Sequence, residues 1–253
     1  MEPLQRGNIR LAATVVLTRQ APRGIEVFMI QRPGRGDFPN LHVFPGGKLD
    51  AEDHLPDYCD GVVEAAADRA LGVEGGGLRY WVAAIRECFE ECGVLFATAA
   101  GSPAIDGGES RERFAGYRAM LIDGRLDLAS LCAREGLRLA CDEMLYFSHW
   151  LTPEAALRRF DTRFFVARMP DGQNTLAHET ETQHSCWIRP AEALRLCEAG
   201  KWQMIAPTLT TLQTIERYGD CEALLDAVRE GSHLPPLTPE LRWEGMQASV
   251  GTG

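Results

Sequence analysis

Three glutamates within one short stretch are the residues of this sequence best suited to chemistry. Glu87, Glu90 and Glu91 lie in the run Arg86–Val94, and at about 100° per residue they fall on one side of a helix. The opposite side carries an apolar stripe made of Val82, Ile85, Phe89, Cys92 and Phe96. Like charges at these spacings destabilise a helix by roughly 0.3 kcal/mol per pair, so a bound cation would relieve the crowding. Carboxylate oxygens suit Mg²⁺ or Mn²⁺, which can polarise a phosphoryl oxygen and activate a bound water.

The alternative is a solvated helix face, which is the usual fate of a run of charges. The residues upstream favour a site, because the break Pro45-Gly46-Gly47 follows a short apolar segment. A strand that ends in such a break before a carboxylate helix brings backbone and side-chain oxygens near each other, as a hard cation requires. Arg86 lies one turn before Glu90, and we expect it to orient that carboxylate.

The nine residues Arg86–Val94 match the second half of the Nudix box, R-E-U-x-E-E-x-G-U, in which U is an apolar residue. The first glycine of the box is then Gly47, which lies 39 positions before Arg86, where the box has 14. We therefore predict an insertion over residues 51–79, with Asp53 standing where the box has its first glutamate. The sequence resembles the coenzyme A diphosphatase-like branch of the Nudix family, which also interrupts the box with a long insertion.

This resemblance spans roughly residues 10 to 200, and it implies a fold and a set of site residues. The fold is an α+β Nudix α/β/α sandwich with a mixed sheet and extra C-terminal helices. The implied metal ligands are Glu87, Glu90, Glu91 and the carbonyl oxygen of Gly46. The residues expected to take part in catalysis are Glu87, Glu90, Arg86 and Glu179.

Glu179 enters because a glutamate from a late loop acts as the catalytic base in several Nudix enzymes. It occupies a matching place before the last predicted strand, and Glu181 is the second choice. An exposed polar loop with no catalytic part is an equally compatible reading of this segment.

Arginines near the predicted site are candidates for binding substrate phosphate. Arg159 and Arg163 flank the start of a predicted strand, and guanidinium groups pair well with phosphate oxygens. Arg32 and Arg35, on the loop before the box, are further candidates. Each of the four could equally form a surface salt bridge.

Aromatic and histidine side chains give weaker indications. Phe160 or Phe38 could stack on a nucleobase, although a buried aromatic is the more frequent outcome. His149 and His184 receive no role, because nothing at a fixed spacing supports one.

The chain is predicted to form a single Nudix domain over residues 1–253, with a C-terminal helical extension and tail over 201–253. Strands are expected over 10–18, 25–31, 42–44, 145–151, 162–167 and 185–189, and the first two should form a hairpin. Helices are expected over 62–71, 80–97, 109–121, 127–135, 206–217 and 220–230, after Pro190, and after the break at 152–154.

Composition limits the partners. The net charge of −10 repels a phosphate backbone, so we expect no nucleic-acid partner. No run of apolar residues is long enough to cross a bilayer, so we expect a cytoplasmic protein that does not bind a membrane. The eight cysteines include no C-x-x-C pair, and we expect reduced, buried thiols.

These observations predict a metal-dependent hydrolase that cleaves a diphosphate in a nucleotide-derived small molecule. The branch resemblance favours coenzyme A or an acyl-coenzyme A as substrate. An ADP-ribose or NADH pyrophosphatase stays open, since loops around the pocket select the substrate. A non-catalytic nucleotide sensor on the same fold is the remaining alternative, and a homodimer is compatible with a chain of this size.

Overall fold

A mixed β-sheet lies at the centre of the molecule. The computed structural model describes residues 5–6, 8–32, 40–156, 158–175 and 184–233. The strands are β1 (Gln5–Arg6), β2 (Ile9–Ala21), β3 (Gly24–Gln31), β4 (His42–Val43), β5 (Gly46–Lys48), β6 (Cys59–Asp60), β7 (Ala97–Ala99), β8 (Ser102–Pro103), β9 (Leu137–Ala140), β10 (Leu145–Leu151), β11 (Arg159–Arg168) and β12 (His184–Ile188). The helices are α1 (Glu64–Leu71), α2 (Leu78–Cys92), α3 (Gly108–Ile122), α4 (Leu128–Glu135), α5 (Pro190–Glu198), α6 (Ala206–Ile215) and α7 (Cys221–Arg229).

The main sheet has the order β10-β11-β2-β3-β12. β11 runs parallel to β2, while β10, β3 and β12 pair antiparallel with their neighbours. The predicted hairpin is present, with Ala21 opposite Gly24 at its tight end. The first half of β2 also pairs with the short strand β5, which places the glycine break beside the sheet centre.

Helices cover both faces of this sheet, because its strands alternate apolar residues between two cores. On β11, Phe165 and Ala167 pack into the core that contains α2, whereas Phe164 and Val166 pack into the core that contains α6 and α7. The predicted α/β/α sandwich with a mixed sheet is therefore confirmed. The helices beyond residue 201 belong to the second helical layer.

The helix predicted over 80–97 is shorter than expected. It ends at Cys92, and Gly93 adopts a left-handed conformation with φ of 73° while its N–H bonds the Phe89 carbonyl. This is the usual glycine termination of a helix. Phe96 is still buried, but it lies beyond the helix and not on its apolar stripe.

The prediction of a helix after the break at 152–154 is wrong, because this segment is the loop between β10 and β11. The Thr152 N–H donates to the Phe160 carbonyl and the Phe160 N–H donates to the Thr152 hydroxyl, so the β10–β11 pairing continues to Thr152, the residue before the proline. Residues 153–156 form turns within its loop. Proline at the second position after a strand here starts a turn and not a helix.

The insertion at 51–79 contributes to the hydrophobic core. Leu55, Cys59, Ala67 and Leu71 are buried in the same cluster as α2. Its strand β6 pairs with β9 in a second sheet of order β6-β9-β7-β8, which sequence patterns did not reveal. The predicted helix within the insertion is present as α1.

None of the helices in the described ranges combines the length and apolar character that a membrane crossing requires.

Candidate active site

The glycine break, Gly46–Gly47, lies directly against α2, the helix that carries the three glutamates and is called the carboxylate helix below. The Gly46 N–H donates a hydrogen bond of 2.7 Å to Glu91 Oε2. A side chain on Gly47 would overlap the carboxylate of Glu87, so that carboxylate rests on the bare backbone of β5. Glu87 and Glu91 are four residues apart and share one side of α2, which is why both reach the same short strand.

Arg86 holds the two halves of the site together. Its Nε lies 2.8 Å from Asp53 Oδ1 and its Nη2 donates to the Lys48 carbonyl at 2.9 Å. Its Nη1 lies 2.9 Å from Glu87 Oε1 and 3.4 Å from Glu90 Oε2. Asp53 is only 1% exposed. Asp53, which stands where the box has its first glutamate, therefore contacts the arginine of the second half of the box, and Arg86 also contacts Glu90.

Negative charge exceeds positive charge around this arginine. Burial raises the pKa of Glu90 to about 7 against the pull of Arg86, and the nearby Glu87 adds to the rise. Burial also raises the pKa of Glu87 and of Asp50. Burial alone would lower the pKa of Arg86, but the charge of Glu87 and the hydrogen bond to Asp53 raise it well above its usual value. The carboxylates of the site therefore carry more negative charge than the guanidinium of Arg86 neutralises.

The donor chemistry of these residues fits Mg²⁺ or Mn²⁺, which prefer oxygen ligands and carry the charge that the cluster lacks. Within the ranges that the structure describes, no three acidic, histidine or cysteine side chains already converge on one point. Glu87 and Glu90 point to Arg86, and Glu91 binds the Gly46 amide. The Gly46 carbonyl, the expected backbone ligand, accepts a hydrogen bond of 3.3 Å from Arg32 Nη2. Arg32 therefore lies beside the glycine break, and its predicted role in substrate binding stays a prediction.

β11 carries the predicted substrate-binding residues on two different faces. Arg163 pairs with Ala13 of β2, which pairs with Gly47 of β5, so Arg163 lies on the helix side of the sheet in the same row as the glycine break. Arg159 shares this side by alternation, and its Nε donates to the Thr152 carbonyl.

Phe160 points the other way, and its predicted stacking on a substrate base is not supported. It alternates with Arg159 along the strand and shares its face with the paired Arg10, whose guanidinium lies 5.7 Å from the Phe160 ring centroid. That face is opposite to α2. The candidate base Glu179 and its alternative Glu181 lie outside the described residues, as do Arg35 and Phe38.

Comparisons with known proteins decide the family. The family model described as the NUDT19 Nudix domain matches residues 74–215, which is more than half of the chain and includes the carboxylate helix. The chain belongs to this Nudix family. It is a Nudix hydrolase of the coenzyme A diphosphatase branch, as its sequence predicted. The matched range starts after Gly47 and Asp53, so the contacts of Arg86 and Glu87 add these two residues to the site.

Three similar proteins illustrate the relationship. A nudix hydrolase of Caenorhabditis elegans is 26% identical over 91% of this chain and 68% of its own length. Human acyl-coenzyme A diphosphatase NUDT19 is 28% identical over 67% of this chain, which spans only 55% of the human protein. The crystal structure of a NUDIX hydrolase from Alicyclobacillus acidocaldarius is 26% identical, with a TM-score of 0.75 over 90% of this chain and 98% of that one.

Arg118 is a residue of this Nudix domain that sequence reasoning missed. From α3, its Nε donates to the Glu90 carbonyl at 2.9 Å and its Nη2 donates to the Glu91 carbonyl at 3.1 Å. Both carbonyls lie in the last turn of α2, where a helix leaves acceptors unsatisfied and a cation is stabilising. No local pattern marks this arginine, because its partners lie more than 25 residues away in sequence.

Replacing Gly47 by alanine is expected to displace the Glu87 carboxylate and lower kcat/KM by about tenfold or more, since misplacement of a site group by about 1 Å is costly. Gly75→Ala is the matched control, because nothing lies within 4 Å of a side chain at that position. Steady-state kinetics of both variants at saturating Mg²⁺ measure the difference. Equal activity of the two variants would show that Glu87 needs no such contact.

The metal-free Nudix domain is expected to lose stability as pH rises from about 4.5 to about 7. The pKa of Glu90 is raised from 4.5 to about 7 in the folded protein, so the folded state binds this proton more tightly than the unfolded state across that window. The loss is on the order of 3 kcal/mol and is complete by about pH 8. Urea unfolding of wild type and Glu90→Gln in EDTA isolates it, because the variant lacks the titrating group. Parallel pH profiles for the two proteins would contradict this assignment.

Proposed function

We propose that this chain hydrolyses the diphosphate bond of coenzyme A or an acyl-coenzyme A with Mg²⁺ or Mn²⁺. The observation that carries the proposal is the set of buried and partly buried carboxylates gathered around Arg86 beside the Gly46–Gly47 break. These carboxylates carry more negative charge than Arg86 neutralises. A divalent ion that also binds the substrate diphosphate would supply the missing positive charge. The name of the human relative supports coenzyme A compounds as substrates.

The residues of the site have different roles in this reaction. Glu87, Glu90, Glu91 and the Gly46 carbonyl would hold the metal, which supplies neutralisation of charge on the phosphoryl oxygens. Arg86 keeps Glu87 and Glu90 in place through its contacts. Arg32 lies next to the Gly46 carbonyl and is suited to contact a substrate phosphate.

The reaction is the hydrolysis of one phosphorus–oxygen bond of the diphosphate. The oxygen of a water forms a bond to one phosphorus, and the bridging oxygen leaves with the electron pair of the bond that breaks. A carboxylate takes the proton of the water, and the phosphate product keeps the negative charge. We assign this base to Glu179, with Glu181 as second choice. With coenzyme A the products are 3′,5′-adenosine diphosphate and phosphopantetheine.

A substrate panel tests the proposal. Purified protein is incubated with coenzyme A, acetyl-coenzyme A, ADP-ribose and NADH in Mg²⁺, in Mn²⁺ and in EDTA, and products are identified by mass in ¹⁸O-labelled water. We expect coenzyme A compounds to be cleaved with the highest kcat/KM, with one labelled oxygen in one phosphate product and no turnover in EDTA.

Other outcomes of the substrate panel would favour a different function. Preference for ADP-ribose or NADH would favour that pyrophosphatase class, and binding without turnover would favour a nucleotide sensor. Full activity in EDTA would remove the metal from the reaction. The homodimer stays a prediction, which light scattering of the same preparation measures.

A further inference from the structure

A cluster of polar side chains lies on the same face of the sheet as α2 and is not part of the carboxylate site. It consists of His149 on β10 and Arg159, Asp161 and Arg163 on β11. His149 pairs with Arg163 across the two strands, so both side chains point to one face. Asp161 and Arg159 share that face, since alternate residues of a strand do.

Asp161 organises this cluster. Its Oδ1 lies 2.8 Å from His149 Nε2 and 3.3 Å from Arg163 Nε, and the residue is only 7% exposed. Arg163 is 5% exposed, with its Nη1 3.4 Å from the Tyr146 hydroxyl. His149 keeps 35% of its side chain exposed. A bound molecule can therefore reach His149. The buried Asp161, which Arg163 also contacts, orients the imidazole ring.

The cluster faces the carboxylate site across one strand. Asp161 pairs with Leu11 of β2, and Leu11 accepts a hydrogen bond from the Leu49 N–H, next to the Lys48 carbonyl that Arg86 binds. Two strand spacings separate Asp161 from Leu49, which is about 10 Å. The cluster holds two arginines against one carboxylate, so its charge is opposite in sign to that around Arg86.

We propose that both ring nitrogens of His149 act as donors, Nε2–H to Asp161 and Nδ1–H to a phosphate of the substrate other than the diphosphate that is cleaved. The inference rests on the proposed function. A metal held by the carboxylates of α2 would place the diphosphate against that helix. His149 lies one strand beyond Asp161, three strand spacings or roughly 14 Å across the sheet from Leu49, so it would meet a different anion. In coenzyme A this anion is the 3′-phosphate of the adenosine, which ADP-ribose and NADH lack. His149 would then select coenzyme A compounds.

Comparison of coenzyme A with 3′-dephospho-coenzyme A tests this contact, because the two differ only in that phosphate. Wild type is expected to prefer coenzyme A by about tenfold or more in kcat/KM, mainly through KM. His149→Ala should abolish the preference by raising KM for coenzyme A about tenfold, with kcat/KM for the dephospho compound within about twofold of wild type. Asp161→Asn should shift the preference in the same direction by a smaller factor.

The outcomes separate the two proposals. Equal losses on both substrates, or no loss on coenzyme A, would overturn the role of His149 while the hydrolase function stands. Wild type that cleaves neither compound would overturn the proposed function and this inference with it. Thermal unfolding checks each variant, and His149→Gln, which keeps a donor for Asp161, gives the same comparison if the alanine variant does not fold.

Discussion

Glu90→Gln is expected to lower kcat by about a thousandfold while leaving the protein folded. The variant removes one carboxylate charge from the metal-binding set and keeps the size of the side chain. Losses of this order follow when a group that stabilises transition-state charge, or that places a metal, is removed. Steady-state kinetics on coenzyme A at saturating Mg²⁺ measure the effect. Calorimetric titration with Mn²⁺ should show weaker binding in the same variant.

A matched control separates chemistry from stability. Glu112 is an exposed glutamate on α3, and Glu112→Gln should keep kcat within about twofold of wild type. Without metal at pH 8, Glu90→Gln should unfold at an equal or higher urea concentration than wild type, because one crowded charge is gone. A Glu90→Gln enzyme with a kcat within tenfold of wild type would exclude this side chain from the metal site.

Arg86→Met is expected to destabilise the fold by about 3 kcal/mol and to remove measurable activity. The substitution leaves Asp53, which is 1% exposed, as a buried carboxylate without its ion-pair partner. Breaking a buried pair from one side costs about 3 to 5 kcal/mol, whereas replacing both partners by apolar groups is often nearly neutral. Urea unfolding measures the loss, and Arg86→Met with Asp53→Leu should recover part of the stability but none of the activity.

The control for this prediction is an exposed ion pair. Arg125 and Asp123 lie 2.8 Å apart with 61% and 57% of their side chains exposed. Arg125→Met should therefore change the free energy of unfolding by less than about 1 kcal/mol. If Arg86→Met were no more destabilising than Arg125→Met, Asp53 would not depend on this arginine.

Sequence alone predicted the features of the site that depend on local spacing. The helical period placed Glu87, Glu90 and Glu91 on one side of a helix. The box pattern marked Gly47 as its first glycine and Asp53 as the position of its first glutamate, and the structure brings these two residues to Glu87 and Arg86. The main strands followed from their β-branched runs. The strand and helix predictions succeeded because each rests on a repeat of a few residues.

Features that depend on distant partners could not be read from the sequence. Arg118 reaches the end of α2 from another helix, and Asp161 holds His149 across a hairpin, so neither has a neighbour in sequence that marks it. The face of Phe160 depended on the register between β11 and β2. The helix end at Gly93 was readable from the glycine, but the apolar residues that follow continued the helical pattern.

The salt bridge between Asp53 and Arg86 ties down both ends of the segment between them. The entropy of closing a loop grows by only about 0.6 kcal/mol for each doubling of its length. Extra residues should therefore cost little in the exposed turns of this segment, but not within β6 or α1, whose buried residues pack in the core. Such variation is compatible with an intact box wherever the aspartate and the arginine are retained. A search for further members should fix these two anchor points and leave the interval between them free.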